Sequence, residues 1–356
     1  MTPIQPTIQG RGVANNPANR FERLHRQPEA FDDPDILDGG AAQLPQTVYL
    51  HDTSQSIISE NDSPDVPFRY SINPYRGCSH GCVYCYARPT HEWLGFSAGL
   101  DFETQIMVKS AAPELLRKEL MKPKYSPDHL SMSGVTDCYQ PAEKQFRITR
   151  GCLEVLAEFR HPVGIVTKNH LVTRDIDLLS SLAKLESVAV YLSITTLDPE
   201  LSRKMEPRTS SPRRRLEAVK MLADAGIPVG VLTAPVIPGL NDHEIPNILK
   251  AAAEAGARFA GFVSLRLPHG VAPMFEEWLG LHYPNHKEKV LSRIKSMRDG
   301  KLNDANFGSR MTGTGIWAEQ IRAMFELGKK AAGIEWKMPR LEAKHFKRPG
   351  EQLKLW

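Results

Sequence analysis

Residues 73–86 read Asn-Pro-Tyr-Arg-Gly-Cys-Ser-His-Gly-Cys-Val-Tyr-Cys-Tyr and place Cys78, Cys82 and Cys85 in a C-x3-C-x2-C loop. Iron–sulfur clusters are normally held by four cysteine thiolates, and structural zinc also takes four ligands. Three thiolates on one short loop therefore predict a metal group with one corner left open for a cofactor or a substrate. Glycines and a serine separate the cysteines, and such small residues let the backbone approach a cluster closely.

A zinc site is the alternative interpretation of the same loop. Its fourth ligand would come from His80, Cys138 or a more distant residue, or else the three thiols would simply be buried and unreactive. Zinc is more often bound by pairs of C-x2-C knuckles, so the open cluster is the favoured interpretation.

Composition indicates a soluble globular protein. The chain has 356 residues, of which 41% are hydrophobic and 24% charged, enough for one large domain or two with an ample core. Its five cysteines, three of them crowded into the loop, do not resemble a disulfide framework, which favours a reducing compartment. The most apolar run, 227–240, contains three prolines and is too short to span a bilayer. We expect a cytoplasmic protein without membrane contact.

Charge is unevenly distributed along the chain. Residues 1–66 carry a net charge of −6 and residues 336–356 a net charge of +4, against +4 for the whole chain. Between residues 203 and 215, six basic side chains face only Glu206. This segment, the 203–215 basic cluster, is either a surface that meets phosphate or a solvated helix start with one or two arginines in internal ion pairs.

Secondary-structure patterns predict alternating strands and helices after an irregular, partly disordered acidic leader over 1–66. We predict strands at 67–72, 129–134, 163–168, 187–195, 228–234 and 259–265, and helices near 112–121, 142–160, 174–184, 211–225, 242–255 and beyond 272. Six β/α units favour a partial (β/α)6 barrel over 67–271, followed by a helical cap (272–335) and a basic tail (336–356). A Rossmann-type sheet is the competing architecture, but no Gly-x-Gly-x-x-Gly follows an early strand.

Candidate site residues follow several predicted strands, at the edge where a β/α barrel places its site. Near Gly134, backbone carbonyls could meet an ammonium group. The polar candidates are Thr136, Asp137, Lys168, Ser193, Thr195, Arg208, Arg266 and His269. Hydroxyl groups at alternating positions suit a ribose or a carboxylate, and arginine pairs with a carboxylate through two hydrogen bonds. Each position could equally be a strand-ending turn or a helix cap.

The cysteine loop resembles the signature of the radical S-adenosylmethionine (SAM) superfamily. Further motifs resemble its spore photoproduct lyase branch, often labelled DNA repair photolyases: Thr136-Asp137-x-Tyr139-Gln140-Pro141, Glu206-Pro207-Arg208, Arg214-Arg215-Leu216 and Pro235-x-x-Pro238. The resemblance implies a [4Fe-4S] cluster on Cys78, Cys82 and Cys85, with SAM on the open iron. It also implies reductive cleavage of SAM to a 5′-deoxyadenosyl radical, with an electron from a donor such as flavodoxin or ferredoxin.

The resemblance further assigns expected roles to individual residues. Tyr84 would lie near the SAM adenine, and Lys168, Ser193 and Arg208 match SAM contacts by position. Tyr86 falls where the lyase has a tyrosine implicated in returning hydrogen. The lyase's hydrogen-donor cysteine aligns with Gly134 here, and Cys138, four residues later, is the candidate to replace it.

Three functional hypotheses follow. The first is a radical SAM enzyme of unknown substrate, with nucleic acid favoured and a lyase or repair type of reaction. The second keeps the same chemistry but gives it a peptide, an RNA or a cofactor precursor as substrate. The third is a non-catalytic protein that binds a metal or nucleic acid and never engages SAM.

Overall fold

The computed structural model describes residues 8–21, 45–334 and 339–350. Its strands are β1 (Val48–His51), β2 (Ile58–Glu60), β3 (Tyr70–Ile72), β4 (Tyr75–Arg76), β5 (Gln105–Val108), β6 (Leu130–Met132), β7 (Val163–Thr167), β8 (Val188–Ser193), β9 (Val229–Val236) and β10 (Phe259–Ser264). Seven of them form one sheet in the order β10-β9-β8-β7-β6-β3-β2, and β1, β5 and β4 form a second, smaller sheet.

The seven-stranded sheet confirms the predicted α/β architecture. All six predicted strands are present, and every pairing from β3 to β10 is parallel, whereas β2 pairs antiparallel with β3 at the edge. Strands such as β8 are buried along most of their length, as parallel strands covered on both faces are. Within the described residues the sheet is an open one, whose order begins at β10 and ends at β2.

Side chains bridge the two edges of this open sheet. Asp65, in the loop between β2 and β3, forms an ion pair with Arg310 and accepts a hydrogen bond of 2.7 Å from the backbone N–H of Gly308. The loop that carries these partners runs beside β10, because the Ser264 N–H donates to the Met311 carbonyl at 2.8 Å. The Asp65 and Arg310 pair therefore connects the two ends of the sheet without closing a barrel.

The helices follow the predicted alternation. They are α1 (Leu100–Thr104), α2 (Ala112–Leu120), α3 (Glu143–Phe146), α4 (Ile148–Phe159), α5 (Ile176–Ala183), α6 (Pro199–Met205), α7 (Pro212–Asp224), α8 (Ile245–Glu254), α9 (Val271–His282), α10 (Pro284–Ser296) and α11 (Gly315–Ala331). The sequence patterns missed α1 and the short α6, which begins after the capping carboxylate of Asp198. None of the described helices is long and apolar enough to cross a bilayer.

One predicted helix, 142–160, is in fact two. Arg147 adopts a left-handed conformation with φ of 53° and separates α3 from α4. The buried carboxylate of Glu143 accepts hydrogen bonds from the backbone N–H groups of Thr149 at 2.9 Å and Arg150 at 3.3 Å. Those N–H groups open α4 and have no partner within their own helix, so Glu143 stabilises the break.

Both predicted terminal segments contain ordered structure. Strands β1 and β2 lie inside the segment predicted to be an irregular leader, and residues 8–21 pack on the cysteine loop through Val13 and Gly12. At the other end, Leu341 packs against Ala189 and Phe259. The rest of the predicted leader and tail, 1–7, 22–44 and 351–356, lies outside the described residues, as do 335–338.

Candidate functional site

The cysteine loop turns on two glycines. Gly77 and Gly81 adopt positive φ values of 75° and 70°, a region that favours glycine. A Cβ atom on Gly81 would lie 2.6 Å from the Glu103 carboxylate, so the site also excludes a larger residue. Cys78 and Cys82 are buried, and the half-buried Cys85 packs against the apolar clusters that contain each of them. The fold thus brings the three thiols together.

Buried polar side chains hold this loop in place. The Gln140 side chain accepts a hydrogen bond from the Ser79 N–H at 3.0 Å and donates one to the Gly77 carbonyl at 3.0 Å. It therefore fixes the residue on each side of Cys78. Beyond the loop, the Arg88 guanidinium donates to the Cys82 carbonyl at 3.0 Å and pairs at 2.5 Å with the fully buried Glu103 carboxylate.

The three thiols fit a metal cluster chemically. Burial raises the pKa of Cys78 to about 12 and raises the pKa values of Cys82 and Cys85, so each thiol keeps its proton at neutral pH until a metal replaces it. Backbone N–H groups of His80 and Asp137 act on Cys78 in the opposite direction, because they stabilise its thiolate. Hydrogen bonds from amides to sulfur are one way in which proteins tune iron–sulfur clusters.

The zinc alternative finds less support. Both ring nitrogens of His80 have partners, the Asp137 carboxylate at 3.4 Å and the Asn169 side chain at 3.1 Å. Cys138 is fully buried in the main core, whereas Cys78 and Cys82 belong to other apolar clusters. Across the described ranges, no group of three His, Cys, Asp or Glu side chains, the loop cysteines included, is arranged to hold a single metal ion, so this observation does not separate the two interpretations.

Tyr84 anchors the loop to the end of β8. Its hydroxyl donates to the buried Glu206 carboxylate, which also accepts from the Thr195 hydroxyl at 2.6 Å and forms an ion pair with Arg215. Arg215 in turn donates to the Ser193 carbonyl at 2.9 Å. Arg215 and Glu206 thus form an internal ion pair. For this arginine, the structure supports the interpretation of the 203–215 basic cluster as a helix start with one or two internally paired arginines, not as a phosphate-binding surface.

Asp137 organises the neighbouring strand end. One carboxylate oxygen accepts from the Thr167 hydroxyl at 2.7 Å, and the other accepts from the Lys168 backbone N–H at 2.8 Å. The Lys168 ammonium lies 5.9 Å from the centre of the Tyr84 ring. In the part of the chain that the structure describes, this ammonium has no hydrogen bond or ion pair, so it is available to an anionic ligand beside the cysteine loop.

Tyr86 lies across the mouth formed by the strand ends. Its side chain is 47% exposed, its hydroxyl donates to the Gly134 carbonyl at 2.9 Å, and the Arg266 guanidinium carbon lies 5.5 Å from its ring centre. The predicted residues Tyr86 and Gly134 are therefore in direct contact. Arg266 reaches the mouth as predicted for the sixth strand end, whereas His269 is an exposed turn residue with φ of 50°.

Three other predicted residues are already engaged elsewhere. The Ser193 hydroxyl donates to the Ala234 carbonyl at 3.0 Å. The Arg208 guanidinium donates to the Thr47 hydroxyl at 3.2 Å, and its backbone N–H donates to the His80 carbonyl of the cysteine loop at 3.2 Å. Burial raises the pKa of Cys138 well above its ordinary value, and its backbone N–H donates to the Ser133 hydroxyl at 2.8 Å.

The sequence patterns did not identify Arg88, Glu103 or the role of Glu206. Arg88 and Glu103 are both fully buried and paired, yet they are fifteen residues apart in sequence. Glu206 stood out in the sequence as part of the Glu206-Pro207-Arg208 motif and as the single acid within the 203–215 basic cluster. A lone carboxylate among arginines is the signal that could have indicated a buried ion pair.

Two curated relatives share much of the chain. The uncharacterized protein Rv2578c of Mycobacterium tuberculosis is 38% identical over 234 residues, which cover 65% of this chain and 68% of that protein. The uncharacterized protein MJ0683 of Methanocaldococcus jannaschii is 32% identical over 230 residues, covering 65% of this chain and 82% of that protein.

Solved structures show the same fold. A mutant of spore photoproduct lyase matches with a TM-score of 0.58 and 18% sequence identity, over 80% of this chain and 79% of that one. A mutant of the same lyase with bound AdoMet and dinucleoside spore photoproduct matches with a TM-score of 0.57 and 18% identity, over the same shares of the two chains.

A sequence profile identifies the family. The profile of the Radical SAM superfamily matches residues 72–252, just over half of the chain, and this range contains all three loop cysteines and strands β4 to β9. The chain therefore belongs to the radical SAM superfamily and is an enzyme of that family.

Proposed function

We propose that Cys78, Cys82 and Cys85 hold a [4Fe-4S] cluster, beside which the chain binds SAM. The observation that carries this proposal is the loop itself, in which Cys78 and Cys82 are buried, Cys85 is half-buried, and the backbone is held by Gln140 and Arg88. When bound, the cluster and SAM would supply reductive cleavage to a 5′-deoxyadenosyl radical, with the electron from a donor such as flavodoxin or ferredoxin. The residues of the chain bind, orient and shield these groups.

Lys168 and Tyr84 are the proposed SAM contacts with most support from geometry. The unpaired Lys168 ammonium would bind the carboxylate of SAM, and the Tyr84 ring would support the adenine. The network of Thr195 and Glu206 keeps that ring in position. The Ser193 and Arg208 side chains would have to exchange their present partners to reach SAM, so we assign them to the supporting structure.

Tyr86 is the proposed residue for hydrogen return. It is half-exposed at the mouth, whereas Cys138 is fully buried in the main core. A hydrogen donor must reach a substrate radical at the mouth, where the Tyr86 side chain already lies. Cys138 would require the Asp137 loop to move.

Nucleic acid is the proposed substrate, acted on in a lyase or repair type of reaction. One support is the fold shared with a lyase described with a bound dinucleoside photoproduct. Another is the exposed part of the 203–215 basic cluster, namely Arg203, Arg213 and Arg214. Exposed arginines attract phosphate groups electrostatically, and this attraction weakens as the salt concentration rises.

The test measures 5′-deoxyadenosine formation. The protein is reconstituted anaerobically and reduced, SAM is added, and the product is detected by mass spectrometry. We expect product from the wild type and none from Cys82→Ala. Cys152→Ala is the matched control, because Cys152 is a free, buried cysteine in α4 outside the loop, and we expect it to retain activity. Equal product from the wild type and Cys82→Ala would contradict the proposed cluster site.

A further inference from the structure

Arg266 occupies an unusual place at the mouth of the site. It comes two residues after the end of β10, and its guanidinium lies over the Tyr86 ring, whose hydroxyl contacts Gly134 on the far side. Arg266 therefore borders the same opening as Tyr86. A substrate that meets the Tyr86 hydroxyl also passes this guanidinium.

The Arg266 guanidinium has almost no hydrogen-bond acceptors. Its buried Nε–H has no partner among the described residues, and one terminal nitrogen meets only the Met311 sulfur at 3.5 Å. A guanidinium carries five N–H donors, and a thioether is a weak acceptor. Buried polar groups in folded proteins are nearly always hydrogen-bonded, so this exception indicates an acceptor that arrives from outside the chain.

The carboxylates near Arg266 already have other partners. Arg310 pairs with Asp65, and Asp304 accepts hydrogen bonds from the Ser309 hydroxyl and the Asn306 N–H. Arg298 donates to two backbone carbonyls. Among the described residues, three guanidiniums thus face two carboxylates, and neither carboxylate forms a hydrogen bond or an ion pair with Arg266. Burial, and then the nearby Arg310, lower the pKa of Arg266, which means that its charge lies in an environment that an anion would relieve.

We infer that Arg266 forms an oxyanion-binding subsite at the mouth and contacts a phosphodiester of the substrate. The planar fork of a guanidinium matches two oxygens of one phosphate. This inference rests on the proposed nucleic-acid substrate and locates one of its phosphate contacts beside Tyr86. It also separates this contact from the 203–215 basic cluster, whose exposed arginines provide only general attraction.

The test measures binding of a short fluorescein-labelled single-stranded oligonucleotide to the reconstituted holoenzyme by anisotropy over a salt series. Arg266→Gln should weaken binding about tenfold at low salt and lower the salt slope by about one. Arg266→Lys should retain the slope, because it keeps the charge, and it serves as the second variant if the glutamine variant folds poorly. Arg322→Gln is the matched control, since Arg322 is exposed on α11, and it should bind like the wild type.

Two outcomes would overturn the inference and are distinguishable. Wild-type affinity and slope in Arg266→Gln would refute the Arg266 contact and leave the proposed function standing. A wild type that does not bind the oligonucleotide would refute both the contact and the nucleic-acid substrate. In either case, 5′-deoxyadenosine formation without oligonucleotide, measured in the wild type and in the Arg322→Gln control, reports separately on the radical chemistry.

Discussion

Replacement of Glu206 by glutamine should destabilise the protein strongly. Glu206 is completely buried, and its carboxylate neutralises Arg215, of which only 1% is exposed. The glutamine side chain keeps an oxygen acceptor for the hydroxyls of Tyr84 and Thr195 but leaves the Arg215 charge unpaired. Loss of one partner of a buried ion pair typically costs about 3–5 kcal/mol. Because Arg215 still donates to the Ser193 carbonyl, we expect a loss of about 3 kcal/mol in the free energy of unfolding, at the lower end of this range.

The pKa of Glu206 also indicates that Arg215 stabilises the ionised carboxylate. Burial alone would raise this pKa, but Arg215 and the hydroxyl donors hold it below its ordinary value of 4.5. A carboxyl group whose pKa is lower in the folded state stabilises the fold above its unfolded pKa and loses that effect as pH falls through the folded value. The difference between the wild type and Glu206→Gln should therefore shrink below about pH 4.

The assay is urea denaturation of the metal-free proteins under anaerobic conditions, read as the shift in transition midpoint at constant slope. Glu158→Gln is the matched control, because Glu158 forms an ion pair with Arg117 at the surface, where 40% of its side chain is exposed. Exposed pairs contribute about 1 kcal/mol or less, so this variant should stay close to the wild type. Equal midpoints for Glu206→Gln and Glu158→Gln would refute the buried network.

Three further predictions concern the loop, its covering segment and pH. Gln140→Ala should weaken cluster retention about tenfold against a chelator, measured as iron and sulfide per chain, because both residues that flank Cys78 lose their anchor. Gly12→Ala should expose residues 8–21 to limited proteolysis, since its Cβ would lie 1.8 Å from the Gly81 carbonyl oxygen. Burial lowers the pKa of His161 from 6.5 to about 4, so protonation of this histidine destabilises the folded state as the pH falls between these two values. His161→Gln should therefore reduce the acid-induced loss in the free energy of unfolding by up to about 3 kcal/mol.

Each of these predictions has a contradicting result. Iron retention in Gln140→Ala equal to that of the wild type would show that the loop holds its shape without the glutamine. Gly270→Ala is the control for the glycine prediction, because nothing lies within 4 Å of its added Cβ, and equal proteolysis of both variants would contradict the close approach. An unchanged pH profile in His161→Gln would show that other groups govern acid unfolding.

Local patterns were sufficient to predict the larger sheet. Runs such as Val163-Gly-Ile-Val-Thr are apolar and bounded by helix signals, so each of the six predicted strands lies within about two or three residues of its observed position. The smaller sheet could not be predicted in this way. It pairs β1 with β5, more than fifty residues later, and β1 is only four residues long and mostly exposed, although Val48, Tyr49 and Leu50 are apolar.

The candidate site was predictable where one motif contains its residues. The spacing of Cys78, Cys82 and Cys85 is local, and the fold brings the three thiols together. The supporting contacts are not local: Gln140 reaches Ser79 across sixty-one residues, and Tyr84 reaches Glu206 across 122. Their partners depend on how the strand ends meet, which composition and periodicity do not specify.

The most direct test of the proposed open cluster is electron paramagnetic resonance of the reduced, reconstituted protein with and without SAM. We predict a [4Fe-4S] signal that changes when SAM is added and that is absent in Cys82→Ala. A protein that retains zinc, or a cluster whose signal is the same with and without SAM, would contradict the proposal that these three cysteines leave one iron open.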